Sequence, residues 1–97
     1  MAKGYMYILE CSDGSYYTGS TKHLALRVQQ HQAGEGAGHT AKHLPIKLIY
    51  YEEYERIDHA FYREQQIKKW NRKMKEALIN GDVSLLSDLA KKVFREQ

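Results

Sequence analysis

Residues 5–20 read YMYILECSDGSYYTGS, two short runs of aromatic, aliphatic and β-branched residues on either side of Asp13-Gly14. An Asp-Gly pair between two such runs is the strongest short-range signal for a β-hairpin. We therefore predict strands over residues 4–10 and 16–20. The hairpin would bring together two tyrosines and a glycine: Tyr7, Tyr17 and Gly19.

The length of the hairpin loop decides which face of the sheet each side chain occupies. A two-residue turn would place Tyr7 and Tyr17 on opposite faces, because successive side chains of a strand alternate. A three-residue loop, with Gly14 in the left-handed conformation of a bulge, places both tyrosines on one face. We predict the three-residue loop, residues 12–14. In that register Leu9, Cys11 and Gly19 share the tyrosine face, and Met6, Ile8 and Thr18 point the other way.

The rest of the chain predicts an α/β protein of the α+β type. We predict a helix over residues 22–32, a glycine-rich loop over 34–45, a strand over 46–54 and helices over 58–70, 72–80 and 83–95. We expect Ser20 or Thr21 to cap the first of these helices, Asp58 the second and Asp82 the last. We expect the three strands to form a small antiparallel sheet. Both faces of this sheet are partly apolar, which predicts helices on both sides.

Composition predicts a single domain over residues 1–97. A chain of this length buries about two-thirds of its unfolded surface, which allows one modest core. There is no run approaching the roughly 20 apolar residues of a membrane span, and the N-terminus lacks the apolar core of a secretion signal. A cytoplasmic protein without membrane contact is the expectation. The lone cysteine, Cys11, cannot form an internal disulfide and is expected to be a small buried hydrophobe.

The net charge of +3 is concentrated in the C-terminal part of the chain. Residues 61–97 carry nine Lys or Arg against five acids, whereas residues 1–60 carry six against seven. The densest stretch, residues 63–75, is typical of a protein that binds a phosphate backbone. On charge alone, a solvated helix face is an equal alternative. The candidate nucleic-acid contacts are Lys22, Lys42, Lys68, Lys69, Arg72 and Lys73.

Two side chains on the first predicted helix can reach one neighbour. Arg27 and His31 are four residues apart on the flank of the helix, which starts directly after the tyrosine strand. The forked donors of Arg27 suit a phosphate oxygen. An ordinary solvated pair is the alternative.

Glu64 falls on the apolar stripe of the next helix, between Ala60 or Phe61 and Ile67. A buried acid is costly unless it has a partner. The partner could be an arginine, Arg27 or Arg63, in a buried ion pair. It could also be a divalent cation, because one carboxylate with substrate phosphate and waters is a normal Mg²⁺ arrangement.

These residues resemble the GIY-YIG nuclease superfamily. Tyr5-Met6-Tyr7 stands at the first motif and Tyr17-Thr18-Gly19 at the second, with Tyr5 in place of the usual glycine and Thr18 in place of the usual aliphatic residue. The similarity covers residues 3–81 and is to the small stand-alone bacterial members, which are related to the catalytic module of the excision-repair incision subunit. It implies a GIY-YIG fold and a DNA endonuclease that uses Mg²⁺ or Mn²⁺.

The resemblance also implies roles for individual residues. Tyr17 would activate water and Tyr7 would support it by hydrogen bonding, although which tyrosine is the base stays open. Arg27 would stabilise the phosphate, and His31 would orient water or relay a proton. Glu64 is the position that matches the metal ligand.

Two further positions have competing interpretations. His39 and His43 have a zinc-like His-x₃-His spacing, but no second pair of ligands lies nearby in the sequence. His39 could instead approach substrate from the loop, with Thr40 contacting phosphate. Asn71 is a candidate for a family asparagine, although we expect it to cap the helix that begins at Arg72, and we expect Asn80 to stop that helix. The alternative of a non-catalytic nucleic-acid-binding module therefore stays open.

The biological context is not decided by the residues. The DNA could be branched or damaged, in repair or recombination, and a homodimer or a protein partner could supply targeting. The last predicted helix has an apolar stripe that could seal the fold or meet such a partner: Leu85, Leu86, Leu89 and Val93.

Overall fold

The computed structural model describes residues 2–82. Three strands form one antiparallel sheet in the order β2-β1-β3, which confirms the predicted fold class. The elements are β1 (Gly4–Glu10), β2 (Tyr16–Thr21), α1 (Leu24–Gln32), α2 (Gly38–Lys42), β3 (Lys47–Tyr54), α3 (Ile57–Lys68) and α4 (Arg72–Ile79). The predicted helix over residues 83–95, with its cap and apolar stripe, lies outside the described residues. Within residues 2–82, every helix is too short or too polar to cross a membrane.

The hairpin loop consists of residues 12–14, as predicted. The Cys11 N–H donates to the Ser15 carbonyl and the Gly14 N–H donates to the Cys11 carbonyl, each at 2.9 Å. Gly14 has a φ of +83°, a conformation that glycine adopts without a steric cost. The Asp13 carboxylate accepts from the Ser15 N–H at 3.0 Å and from the Ser15 hydroxyl at 2.6 Å. The loop is therefore held by backbone and side-chain hydrogen bonds together.

The register confirms the predicted distribution of side chains between the two faces. Tyr7 lies opposite Gly19 and Leu9 lies opposite Tyr17. One core, on the tyrosine face, contains Tyr7, Leu9, Cys11 and Ile46, with Tyr17, Leu24, Val28 and Leu48 packed against it. The other core contains Met6, Ile8 and Ile67, with Trp70 and side chains of β2, β3 and α4 packed against it. Helices thus cover both faces of the sheet, α1 on one and α3 with α4 on the other.

The caps predicted for the helices that correspond to α1 and α3 are wrong. α1 begins after His23, which makes no side-chain cap, and the Thr21 hydroxyl accepts the His23 N–H at 3.1 Å instead. α3 begins one residue before Asp58, at Ile57, whose N–H donates to the Ala2 carbonyl at 2.9 Å. Asp58 therefore lies inside the first turn, where it accepts two hydrogen bonds from Arg56 at 3.0 and 3.1 Å.

The segment predicted as an irregular loop contains the five-residue helix α2. The residue before it, Ala37, has no polar side chain to cap the helix. The Thr40 hydroxyl takes over this function, because it accepts the Ala37 N–H at 3.3 Å and donates to the Ala37 carbonyl at 3.0 Å. At the start of α4 the sequence prediction is confirmed, since Asn71 Oδ1 accepts the Met74 N–H at 2.9 Å.

Arg63 of α3 binds a polar cluster on β3. The Glu52 carboxylate accepts from the hydroxyls of Tyr50 and Tyr54 at 2.5 and 2.6 Å and from Arg63 at 2.9 and 3.3 Å. Burial by itself would raise the pKa of Glu52, but these hydrogen bonds outweigh it and hold that pKa below its usual value. Arg63 is therefore not the partner of Glu64. Tyr51 points to the other face of the strand and is 54% exposed.

Candidate active site

On the tyrosine face of the sheet, hydrogen bonds join three buried side chains in series: Tyr7, His31 and Thr40. The Tyr7 hydroxyl lies 3.0 Å from Nε2 of His31, and Nδ1 of the same ring lies 2.8 Å from the Thr40 hydroxyl. All three residues are at most 1% exposed. The prediction that Thr40 contacts phosphate is therefore wrong, and the buried His31 ring contacts Tyr7 and Thr40 instead of solvent.

The contacts of the Thr40 hydroxyl favour one tautomer of His31. The Ala37 carbonyl, 3.0 Å away, can only accept, and when it takes the hydroxyl proton the Thr40 oxygen accepts from the imidazole. His31 therefore carries its proton on Nδ1, and Nε2 accepts from the Tyr7 hydroxyl. Burial, and secondly the charge of Arg27, lower the pKa of His31 below 6.5. The ring is therefore neutral at pH 7.

Arg27 and His31 reach the same neighbour, Tyr7, as their spacing predicts. Burial raises the pKa of Tyr7 above 10, and a hydrogen bond from Arg27 opposes this rise without reversing it. Tyr7 is therefore protonated at neutral pH and donates to His31. Arg27 also donates to Gln30 Oε1 at 3.2 Å, which restricts the orientation of its guanidinium.

Tyr17 is the tyrosine of the pair that solvent can reach. Its ring centroid lies 5.1 Å from that of His31 and 6.5 Å from that of Tyr7. Tyr7 is 1% exposed, whereas Tyr17 is only partly buried. Among the three rings of this cluster, Tyr7, Tyr17 and His31, Tyr17 is the one that is not fully buried.

Two glycines make room for the hydrogen-bonded side chains of Tyr7 and His31. A Cβ at Gly19 would stand 2.5 Å from the Tyr7 hydroxyl oxygen, and a Cβ at Gly36 would overlap the His31 ring. The motif singles out Gly19, but no local signal distinguishes Gly36 from the other glycines of its loop. Its function follows from contact with a ring five residues earlier in the chain.

Glu64 is buried on α3, as predicted, but its partners are different from the predicted arginines. Glu64 is 7% exposed. Its carboxylate accepts from the Ser20 hydroxyl at 2.5 Å, from Lys68 at 2.7 Å and from Gln65 at 3.2 Å. The buried stripe passes through Ala60, which is 0% exposed, rather than Phe61, which is 50% exposed.

Glu64 adjoins the tyrosines around the edge of the sheet. By strand alternation Ser20 belongs to the face opposite Gly19, and β2 is an edge strand. The negative charge of Glu64 still contributes to raising the pKa of Tyr7. In the same way, Tyr17 contributes to the raised pKa of Lys68, although the hydrogen bond to Glu64 is the larger cause. The groups on the two faces therefore interact electrostatically.

The predicted basic surface is only partly available for a ligand. Lys68 is bound to Glu64, and Arg72 is bound to Glu76 at 3.0 Å and to the Gly14 carbonyl at 2.8 Å. Arg72 also lies over the Tyr16 ring, 4.2 Å from its centroid. The other predicted nucleic-acid contacts are exposed: Lys22, Lys42, Lys69 and Lys73.

His39 and Asn71, the two further candidates from the sequence, make no hydrogen bond to Tyr7, His31 or Thr40 within residues 2–82. His39 Nε2 is 2.7 Å from the Ser15 hydroxyl at the hairpin loop. Asn71 uses its side-chain oxygen as the cap of α4. Neither bonds to the tyrosines, Arg27 or Glu64 among residues 2–82.

We expect the variant Thr40→Val to lower the free energy of unfolding by about 1–3 kcal/mol, because a buried His31 N–H loses its acceptor. Urea denaturation measures this loss. Nitrogen NMR of the imidazole should also show that His31 no longer holds a single tautomer. Thr40→Ser keeps the hydroxyl and should retain the Nδ1-protonated form; the same tautomer mixture in both variants would contradict the assignment.

The sequence is similar to those of known proteins. Residues 3–77 match the profile of the GIY-YIG catalytic domain. A UPF0213 protein of Streptococcus sanguinis is 47% identical over 77 residues, which cover 79% of this chain and 88% of the relative. A UPF0213 protein of Staphylococcus aureus is 43% identical over 79 residues, covering 81% and 96%.

Two solved structures are also similar. The solution NMR structure of a UPF0213 protein from Bacillus halodurans has a TM-score of 0.54 and 36% identity, covering 80% of this chain and 83% of the other. The solution NMR structure of the E. faecalis protein EF2693 has a TM-score of 0.56 and 34% identity, covering 84% and 86%.

Proposed function

The chain belongs to the GIY-YIG catalytic domain family, a nuclease-type module, and from this membership we propose that it is a divalent-metal-dependent endonuclease that hydrolyses DNA phosphodiester bonds. The observation that supports this proposal best is the buried chain from Tyr7 through His31 to Thr40 behind the accessible Tyr17. Burying three polar side chains is costly unless each is hydrogen-bonded. A surface that only binds DNA has no use for such an arrangement.

Tyr17 is the proposed acceptor of the proton from water. In this step the Tyr17 oxygen, having released its own proton to solvent, takes a proton from the water as the water oxygen bonds to phosphorus; the bond from phosphorus to the sugar oxygen breaks and its electron pair stays on that oxygen. Tyr7, held by His31, keeps the neighbouring ring in place.

Arg27 is the proposed contact to the reacting phosphate. Negative charge builds up on the phosphoryl oxygens in the transition state, and a fixed guanidinium stabilises it. The hydrogen bond that Arg27 makes with Gln30, together with its electrostatic interaction with Tyr7, keeps its charge at the tyrosine face before substrate arrives. A group that is already in position does not lose its freedom during the reaction.

Glu64 is the proposed ligand of Mg²⁺ or Mn²⁺. Its Oε2 already holds the Lys68 ammonium at 2.7 Å, so a cation fits at this oxygen. The Lys68 side chain is 47% exposed and can move into solvent. One carboxylate with phosphate and water ligands suits these ions. When bound, the ion supplies charge neutralisation at the leaving oxygen.

The variant Glu64→Gln tests the proposal. We expect the full chain to nick supercoiled plasmid DNA with Mg²⁺ or Mn²⁺ and not with a chelator, because one active site cuts one strand. Glu64→Gln should lower this rate about 100-fold at fixed metal concentration, as expected when a metal ligand is lost. Gel electrophoresis of nicked plasmid measures the rate.

The matched control is Glu53→Gln, which removes an exposed carboxylate that pairs with Lys3 at 3.1 Å. It should cut at the native rate. The same assay is run on branched and single-stranded DNA, since the substrate could come from repair or recombination. Absence of metal-dependent cutting on all of these substrates would refute the nuclease proposal.

A non-catalytic nucleic-acid-binding module is the second candidate. It is favoured by the use of Asn71 as a helix cap, which leaves that amide oxygen engaged away from the tyrosines. DNA binding that depends on Lys69 and Lys73, together with no cleavage under any metal condition, would support this candidate. A homodimer or a protein partner for targeting belongs to either proposal and is tested by measuring the mass of the complex in solution.

A further inference from the structure

A second cluster of ligating side chains lies at the hairpin loop. One ligand atom each from Cys11, Asp13 and His39 lie within 4.8 Å of one another. Cys11 is 4% exposed, at the edge of the tyrosine-face core, and the other two are exposed. The cluster is distinct from Glu64, which is bound to Ser20 and Lys68.

His43 adds a fourth donor to this cluster. Its Nδ1 lies 3.5 Å from Asp13 Oδ2, and its ring centroid lies 4.8 Å from that of His39. The two histidines are four residues apart and straddle the end of α2. The Ser15 hydroxyl bridges Asp13 and His39, at 2.6 and 2.7 Å, so these two side chains are already held toward each other.

We propose that Cys11, Asp13, His39 and His43 form a zinc site. Zn²⁺ prefers four ligands in a tetrahedral arrangement and accepts thiolate, imidazole and carboxylate donors. The layout, two ligands from a hairpin and two from a His-x₃-His segment, is one that structural zinc sites use. A hard ion such as Mg²⁺ prefers oxygen ligands only, so this donor set selects a softer metal.

Metal binding at this site has a defined proton balance. A thiol coordinates zinc as the thiolate, so Cys11 releases one proton to the buffer when the bond between sulfur and zinc forms. The site would join the hairpin loop to α2, which the Ser12 N–H and the His43 carbonyl already connect at 2.9 Å. It would therefore hold α2 in place and stabilise the folded chain.

Calorimetric titration of the metal-free full chain with Zn²⁺ tests this site. We expect one zinc per chain, release of one proton, and a melting temperature raised by on the order of 10 °C at a hundredfold excess over the dissociation constant. Titration with Co²⁺ should give the intense visible bands of a tetrahedral ion and a thiolate charge-transfer band.

The double variant His39→Ala and His43→Ala should weaken zinc binding at least about 100-fold. The matched control, His23→Ala with His59→Ala, removes two exposed histidines outside the cluster and should bind like the native chain. Cys11→Ser should abolish the thiolate band, and Glu64→Gln should keep zinc binding.

Three results would overturn the zinc proposal. They are no binding at micromolar zinc, an equal loss of zinc affinity in the His39/His43 and His23/His59 double variants, and a cobalt spectrum of the native chain without a thiolate band. Each of these can occur whether or not the protein cuts DNA with Mg²⁺. The zinc site and the nuclease proposal therefore fail independently.

Discussion

Tyr17→Phe is expected to slow DNA cleavage about 1,000-fold, the scale at which a positioned general base contributes. The change removes one hydroxyl and keeps the ring that packs against His31 and the tyrosine-face core. That hydroxyl makes no hydrogen bond within residues 2–82, so the free energy of unfolding should be unchanged. Initial rates of plasmid nicking and urea denaturation measure the two quantities on the same preparations.

Tyr16→Phe is the matched control for this prediction. Tyr16 is the adjacent residue on the opposite face, and its ring lies beneath the Arg72 guanidinium. Phenylalanine keeps this ring, so both the fold and the cleavage rate should stay at native values. A Tyr17→Phe rate within tenfold of the native rate would contradict the assignment of Tyr17 as the base. The search for the base would then move to Tyr7.

Gly19→Ala is expected to lower the free energy of unfolding by about 2–3 kcal/mol, the scale of an overpacked core. The new Cβ would stand 2.5 Å from the Tyr7 hydroxyl oxygen and 2.6 Å from the ring carbon that carries it. Tyr7 is fully buried and held by His31, so its ring cannot move aside without breaking that bond. Cleavage should fall together with stability, which urea denaturation and plasmid nicking measure.

Gly38→Ala separates this steric effect from a general intolerance of glycine replacement. A Cβ at Gly38 meets nothing within 4 Å, and the residue lies in α2, where alanine is favoured over glycine. Gly38→Ala should therefore be neutral or slightly stabilising. Gly36→Ala, whose Cβ would overlap His31, should behave like Gly19→Ala. Native stability in Gly19→Ala would show that Tyr7 has more room than the structure gives it.

The hairpin and its register could be predicted because the information is local. The Asp13-Gly14 pair restricts the loop to a few geometries, and alternation then assigns every side chain of two strands to a face. The cap at Asn71 was predictable for the same reason, since its partner Met74 is three residues away. The burial of Glu64 followed from the spacing of its apolar neighbours on one helix.

The partners of charged side chains were not predictable in this way. Arg63 was a candidate partner for Glu64, and the structure pairs it with Glu52 on β3 instead. The charge of Lys68 makes it a candidate DNA contact, and in the structure it binds Glu64 one helical turn away. A basic stripe in a sequence counts charges without showing which of them an acid on another element already neutralises. Half-buried ion pairs depend on packing between elements, which the residue pattern does not contain.

The sequence by itself determined the hairpin, the face on which Tyr7 and Tyr17 lie, and the burial of Glu64, because each depends on spacing within one or two neighbouring elements. Only the tertiary structure decided that Thr40 orients His31 and that Gly36 makes room for it. It alone also brings Cys11 and Asp13 close to His39 and His43, the proximity on which the proposed zinc site rests. These relations join segments far apart in the chain, and the packing of both sheet faces sets the distances between them.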